Sequence, residues 1–200
     1  MSESSQSDPL PPNEAGSSPR RRTHLSSLFL GWLRDVVIAV ALALVIIAFV
    51  YQPVKVEGTS MAPHLSDQER IFINKFVYQF EPIRRGDIVV FRYPRNPNKS
   101  FIKRVVGLPG EVVEIRRGLV YINGQLLRED YLPVAELDPH SFPTTWLPPD
   151  HYFVLGDHRR NSNDSRTWGT VQRDFIYGKA VFAYWPPARF GPIATPDGQD

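Results

Sequence analysis

Apolar residues along this chain follow two regimes. Near the N-terminus they run without a break over residues 36–51, preceded by an apolar-rich stretch at 28–33. Beyond Pro53 they come in short β-rich runs, bounded by Gly, Pro, Asn and Asp. The first regime has no polar face, which argues for a membrane-spanning helix over an amphipathic or buried one. Its strictly apolar part is about 24 Å long as a helix. A bilayer core needs about 30 Å, so residues 28–33 extend it and Arg34 and Asp35 lie one turn inside. These two can pair with each other or snorkel to nearby headgroups. Ala39, Ala41 and Ala43 sit inside the run rather than after it, and the run exceeds an ordinary signal-peptide core. That favours an uncleaved signal anchor over a cleaved leader. Arg20, Arg21 and Arg22 precede it and only Lys55 follows closely, which places the N-terminus in the cytoplasm and residues from Pro53 outside.

The second regime predicts strands at 70–76, 87–93, 101–106, 111–116, 119–122, 151–155 and 176–185. Asn123-Gly124 marks a hairpin. No amphipathic helices alternate with these strands, so the expected fold is mainly β and antiparallel, without a doubly wound parallel sheet. The expected division is a disordered tail at 1–24, a transmembrane anchor at 25–52, a β-rich domain at 53–190 and a flexible tail at 191–200. A Pro-rich segment at about 126–150 shows little periodicity and reads as a short surface insert.

Composition narrows the chemistry. A net charge of +2 without a basic stripe gives no reason to expect a nucleic-acid partner. The chain has no cysteine, which excludes disulfides and thiolate metal sites. His64, His151 and His158 lack close ligand spacing, so no metal is expected. Three polar constellations remain. Ser60 lies in Gly58-Thr59-Ser60-Met61-Ala62-Pro63, nine residues after Tyr51. By itself this is also compatible with an ordinary polar turn. It is not a nucleophile elbow, because the second glycine of that motif is Ala62 here and the parallel sheet is missing. Lys103 shares a strand face with Phe101 and Val105, while Ile102, Arg104 and Val106 take the other. Apolar neighbours disfavour an ammonium, and a lysine whose pKa falls from about 10.4 to about 7–8 can serve as a base. A snorkelling lysine at a strand edge is the plainer alternative. The third stretch, 156–169, is crowded with polar groups and must be solvated or networked. Asp164 and Arg166 can pair within it and Ser162 can offer a hydroxyl. It lacks the glycine and the closing glutamate of a calcium loop. A Ser-His-Asp set using His151 or His158 is a weaker option than the lysine.

In combination and order, these segments resemble bacterial type I signal peptidase (leader peptidase). The similarity covers the anchor, 58–63, Arg85-Gly86-Asp87-Ile88-Val89, 101–111 and 156–169. It is most specific in Lys-Arg-Val-Val-Gly-Leu-Pro-Gly-Glu and Asn-Ser-x-Asp-Ser-Arg-x-Trp-Gly. The resemblance implies a cofactor-free serine endopeptidase with Ser60 as nucleophile and Lys103 as general base. It implies that Ser162 hydrogen-bonds the lysine amine and that Asp157, Asp164 and Arg166 support the site. The Ser60 backbone N–H would meet the oxyanion. Gly58 stands where some members carry a second hydroxyl donor. Val56, Met61, Leu65, Phe101 and Ile102 would form shallow pockets for a precursor cut after small-x-small (Ala-x-Ala-like) sequences, bound as an added strand. The implied partners are preproteins with signal peptides, the lipid bilayer and a nearby secretion translocon. The implied location is the bacterial plasma membrane, with a thylakoid membrane as the other option. A membrane-tethered β-module that binds a partner without catalysis is the competing class. A self-cleaving Ser-Lys repressor is disfavoured by the anchor and by the lack of a helix-turn-helix.

Overall fold

A continuous apolar run satisfies its own backbone most simply as a helix, and α1 spans His24–Val50. Within it, Phe29–Val50 is long and apolar enough to cross a membrane, with a mean hydropathy of 2.7. Arg34 and Asp35 pair side by side, Nη2 to Oδ1 at 3.0 Å. The computed structural model describes residues 24–194, with side chains from Phe29 onward. The expectations for residues 1–23 and 195–200 lie outside it. The chain forms two compact units, one ending at Leu44 and the other beginning at Val45.

The second unit is antiparallel β throughout its pairings. Its strands are β1 (Tyr51–Lys55), β2 (Arg70–Asn74), β3 (Ile88–Tyr93), β4 (Asn96–Gly107), β5 (Val112–Arg116) and β6 (Leu119–Ile122). They continue as β7 (Gln125–Leu126), β8 (Phe142–Trp146), β9 (His151–Leu155), β10 (Val171–Gln172), β11 (Ile176–Trp185) and β12 (Gly191–Pro192). An eight-stranded sheet runs β1-β2-β11-β3-β4-β9-β10, with β12 on β11, and a four-stranded sheet runs β7-β6-β5-β8. Period-two alternation sorts the core. In β3, Ile88 and Val90 join a cluster with Val56, Met61, Leu65, Ile71 and Ile73. Val89 and Phe91 face a second cluster with Val105, Val154 and Trp168. A third cluster, with Val106, Val113, Val120, Leu147 and Leu155, ties the two sheets together. The Asn123-Gly124 turn has φ of 51° and 82°, the left-handed pair that a tight hairpin requires.

Two expectations need correcting. The helix stops at Val50, and Tyr51 already belongs to β1, which pairs with β2 from Tyr51↔Asn74 to Lys55↔Arg70. The apolar run thus contains the start of a strand that periodicity cannot separate from a helix. The segment at 126–150 is also not a surface excursion throughout. It contains β8, which pairs with β5, and Leu147, which is fully buried. Phe-Pro-Thr-Thr-Trp hides this strand because proline is tolerated on an edge.

Candidate active site

The loop after β1 carries Ser60 and folds back at once. Gly58 takes φ 87°, a conformation that L side chains rarely adopt, and its N–H donates to Asp67 Oδ1 at 2.8 Å. Leu65 N–H donates to Met61 O at 2.9 Å, closing a helical turn beyond the serine. This turn aims Met61 and Leu65 inward, where both are fully buried in the core. They therefore support the loop from beneath and do not line the groove, contrary to the expectation that they contact substrate. Val56, Phe101 and Ile102 do line it, together with Val54, Val90 and Tyr177, in a cavity of about 470 Å³ that also holds Ser60 and Lys103.

Lys103 reaches this cavity from β4. Its Nζ lies 2.7 Å from Ser60 Oγ and 2.9 Å from Ile102 O, and 5.5 Å from the centroid of the Phe101 ring. The residue is only 4% exposed. Burial lowers its pKa from 10.5 to about 8, against the opposing pull of the Asp164 and Asp157 carboxylates. About a tenth of the amine is therefore unprotonated at pH 7 and about half at pH 8, with its lone pair within reach of a hydroxyl proton. Among the described residues no acceptor meets the Ser60 N–H.

The polar stretch after β9 forms a brace. Asp164 caps the short helix α2 (Ser165–Trp168), accepts from Gly156 N at 3.0 Å and binds Arg166 Nε at 2.8 Å. His158 N–H donates to Ser60 O at 3.1 Å, which ties this stretch to the serine's own backbone. Asn161 Nδ2 donates to Thr59 Oγ1 at 3.0 Å. The implied bond from Ser162 to the lysine amine is not formed. Ser162 Oγ is buried without a partner among the described residues, and the lysine donates to Ser60 and Ile102 instead. The hydroxyl sits against Gly156, where an added Cβ would fall 2.1 Å from it and 2.5 Å from Ser60 O.

Arg104 and His64 were missed by sequence reasoning. Arg104 lies on the opposite strand face from Lys103 yet is fully buried. It binds Asp157 at 2.9 and 2.7 Å and Gly86 O at 2.9 Å. His64 Nδ1 lies 3.0 Å from the same Asp157. Burial would raise the pKa of Asp157, but Arg104 and His64 outweigh it and hold the carboxyl below its ordinary range. An arginine on a face shared with Ile102 and Val106 was the available signal, since a charge there must be paired. The two other histidines considered as catalytic candidates are engaged elsewhere, His158 with Glu136 at 3.3 Å and His151 Nδ1 with Pro149 O at 2.9 Å.

A family model described as signal peptidase, peptidase S26, matches residues 29–185. A signal peptidase I of Leptolyngbya laminosa is 39% identical, covering 96% of this chain and 98% of its own. One of Bacillus amyloliquefaciens is 38% identical, covering 84% and 95%. Among solved structures, a signal peptidase I from Enterococcus faecalis V583 is 37% identical and covers 50% of this chain and 97% of that one, with a TM-score of 0.44.

Proposed function

The chain belongs to the signal peptidase family, peptidase S26, and on that footing we propose that it is a membrane-anchored serine endopeptidase using Ser60 as nucleophile and neutral Lys103 as general base. Its substrates are secretory precursors, cut after small-x-small sequences of the Ala-x-Ala kind. The observation that carries this reading is the 2.7 Å approach of Lys103 Nζ, on a side chain only 4% exposed, to Ser60 Oγ.

The neutral amine takes the Ser60 hydroxyl proton as Oγ attacks the scissile carbonyl. The Ser60 N–H meets the resulting oxyanion. The C–N bond then breaks, and the ammonium returns its proton to the leaving amine. Water, deprotonated by the same lysine, attacks the acyl-serine ester; the C–Oγ bond breaks, the ammonium returns the proton to Ser60 Oγ, and the signal peptide leaves with its new carboxylate. No histidine, metal or cofactor takes part in this sequence.

Substrate alignment follows from the sheet. β4 pairs with β9 only from Arg104 onward, so Phe101–Lys103 have a free edge facing the groove. β1 borders the groove from the edge of the same sheet. An extended precursor adds as a strand here, and the apolar walls of Val54, Val56, Val90 and Ile102 admit small side chains and reject large ones by clash. The three arginines before the helix orient it with the N-terminus in the cytoplasm and the β unit outside. The plasma membrane is the proposed site, with a thylakoid membrane as the second. A precursor still threaded through the bilayer, beside the translocon, is then cut by an enzyme tethered to the same membrane. Detergent-solubilised protein incubated with a preprotein tests this: Ser60→Ala and Lys103→Ala remain folded and release no signal peptide. Cleavage by the Ser60→Ala protein would refute the mechanism.

A further inference from the structure

We infer that Glu129 and Tyr131, in the segment between β7 and β8, are positioning residues for the Ser60–Lys103 pair. The inference rests on the proteolytic reading and concerns residues that do not touch substrate.

Both Glu129 oxygens accept from Arg159, Nη1 at 3.0 Å and Nη2 at 2.5 Å, and the two side chains are only 8% and 3% exposed. Tyr131 OH donates to Glu129 Oε1 at 2.6 Å. Arg159, held in this way, turns its Nε onto Gly156 O at 3.0 Å, while its own carbonyl accepts from Arg166 Nη2 at 2.6 Å. Between Gly156 and Arg159 lies His158, whose N–H holds the Ser60 carbonyl. The link from Glu129 to the backbone of the serine is therefore continuous: carboxylate, guanidinium, turn, carbonyl. Tyr131 makes a second link. Its ring carries the Arg104 guanidinium 4.3 Å from the centroid, and Arg104 binds Asp157 in the same turn.

A buried ion pair topped by a phenol is an expensive way to fill space, since apolar side chains of equal volume pack without desolvating charge. What it supplies is direction, fixing where the 156–159 turn sits. That turn and the stretch after it present Asp157 and Asp164 to Lys103, and the turn's tight fit against Ser60 O leaves no room for a Cβ at Gly156. A turn that moves by about 1 Å shifts the nucleophile and lets water reach the amine, and displacements of that size cost about a hundredfold in rate.

The test compares full-length wild type, Glu129→Gln and Tyr131→Phe in detergent, with an Ala-x-Ala preprotein across pH. Glu129→Gln is expected to lower kcat by about 10–100-fold with little change in KM. A hydrated Lys103 binds its proton more tightly, so the acid limb of the rate moves to higher pH. Tyr131→Phe, which removes one oxygen, shifts both quantities in the same direction by less, and it decides the matter if Glu129→Gln does not fold. Folded variants with the kcat and the acid limb of wild type overturn the inference, as does a lowered melting temperature with kcat intact. A wild type that cleaves no preprotein overturns the proteolytic reading and this inference with it. A wild type that cleaves, with variants indistinguishable from it, overturns this inference alone.

Discussion

Burying a lysine next to a serine costs stability, and replacing Lys103 by methionine should recover it. The amine's pKa falls from 10.5 to about 8 on folding. At about 1.4 kcal/mol for each tenfold change in proton affinity, that difference amounts to about 3 kcal/mol. The sign follows from linkage. The unfolded chain binds this proton more tightly than the folded one, so below pH 8 both states carry it and the folded state bears the whole penalty. Between about 8 and 10.5 the folded amine is already neutral and the penalty disappears. Lys103→Met removes the penalty at every pH and strands no charge, because Asp164 keeps Arg166 and Asp157 keeps Arg104 and His64. The variant should be inactive yet more stable than wild type by about 3 kcal/mol at pH 7, or roughly 6–12 °C in melting temperature. The gap should close as pH approaches 10.5. Thermal unfolding of both proteins in detergent at pH 7 and pH 10 measures this. A variant less stable than wild type at pH 7, or a gap independent of pH, would show that Lys103 carries no such penalty.

Other consequences are equally direct. Gly156→Ala places a methyl 2.5 Å from Ser60 O, so kcat for precursor cleavage should drop by about a hundredfold while the protein still reaches the membrane. Arg104→Ala leaves the buried Asp157 with His64 alone and should lower stability to urea by about 3–5 kcal/mol. Asp164→Asn removes a charge that raises the lysine's pKa, so the acid limb of kcat/KM should move below 8; a move upward would contradict the assigned electrostatics.

Most of the strands were legible because their alternation is local. Leu119–Ile122, His151–Leu155 and Ile176–Trp185 have the boundaries that the sequence predicts. β1 was not legible, since Tyr51 continues an apolar helix and the strand's identity depends on pairing with Arg70–Asn74. At the site, Lys103 stood out through its apolar neighbours on one strand face, and the same reasoning left Arg104 unexplained. Its partner lies 53 residues away, a separation that no local pattern reports. Glu129, Tyr131 and Asp138 look like ordinary loop polarity in the chain. Only folding brings them onto Arg159, Arg104 and Arg166, respectively. Met61 and Leu65 erred in the other direction: proximity in sequence to Ser60 suggested substrate contact, but the turn after the serine drives them into the core.

On the proposed mechanism a buried, neutral Lys103 activates Ser60. Measuring kcat/KM for preprotein cleavage against pH tests it most directly. The rate is expected to rise with a midpoint near 8, the value at which burial sets the amine, and to be lost entirely in Ser60→Ala. A midpoint near the histidine value of about 6.5, or cleavage that survives the loss of Ser60, would contradict it.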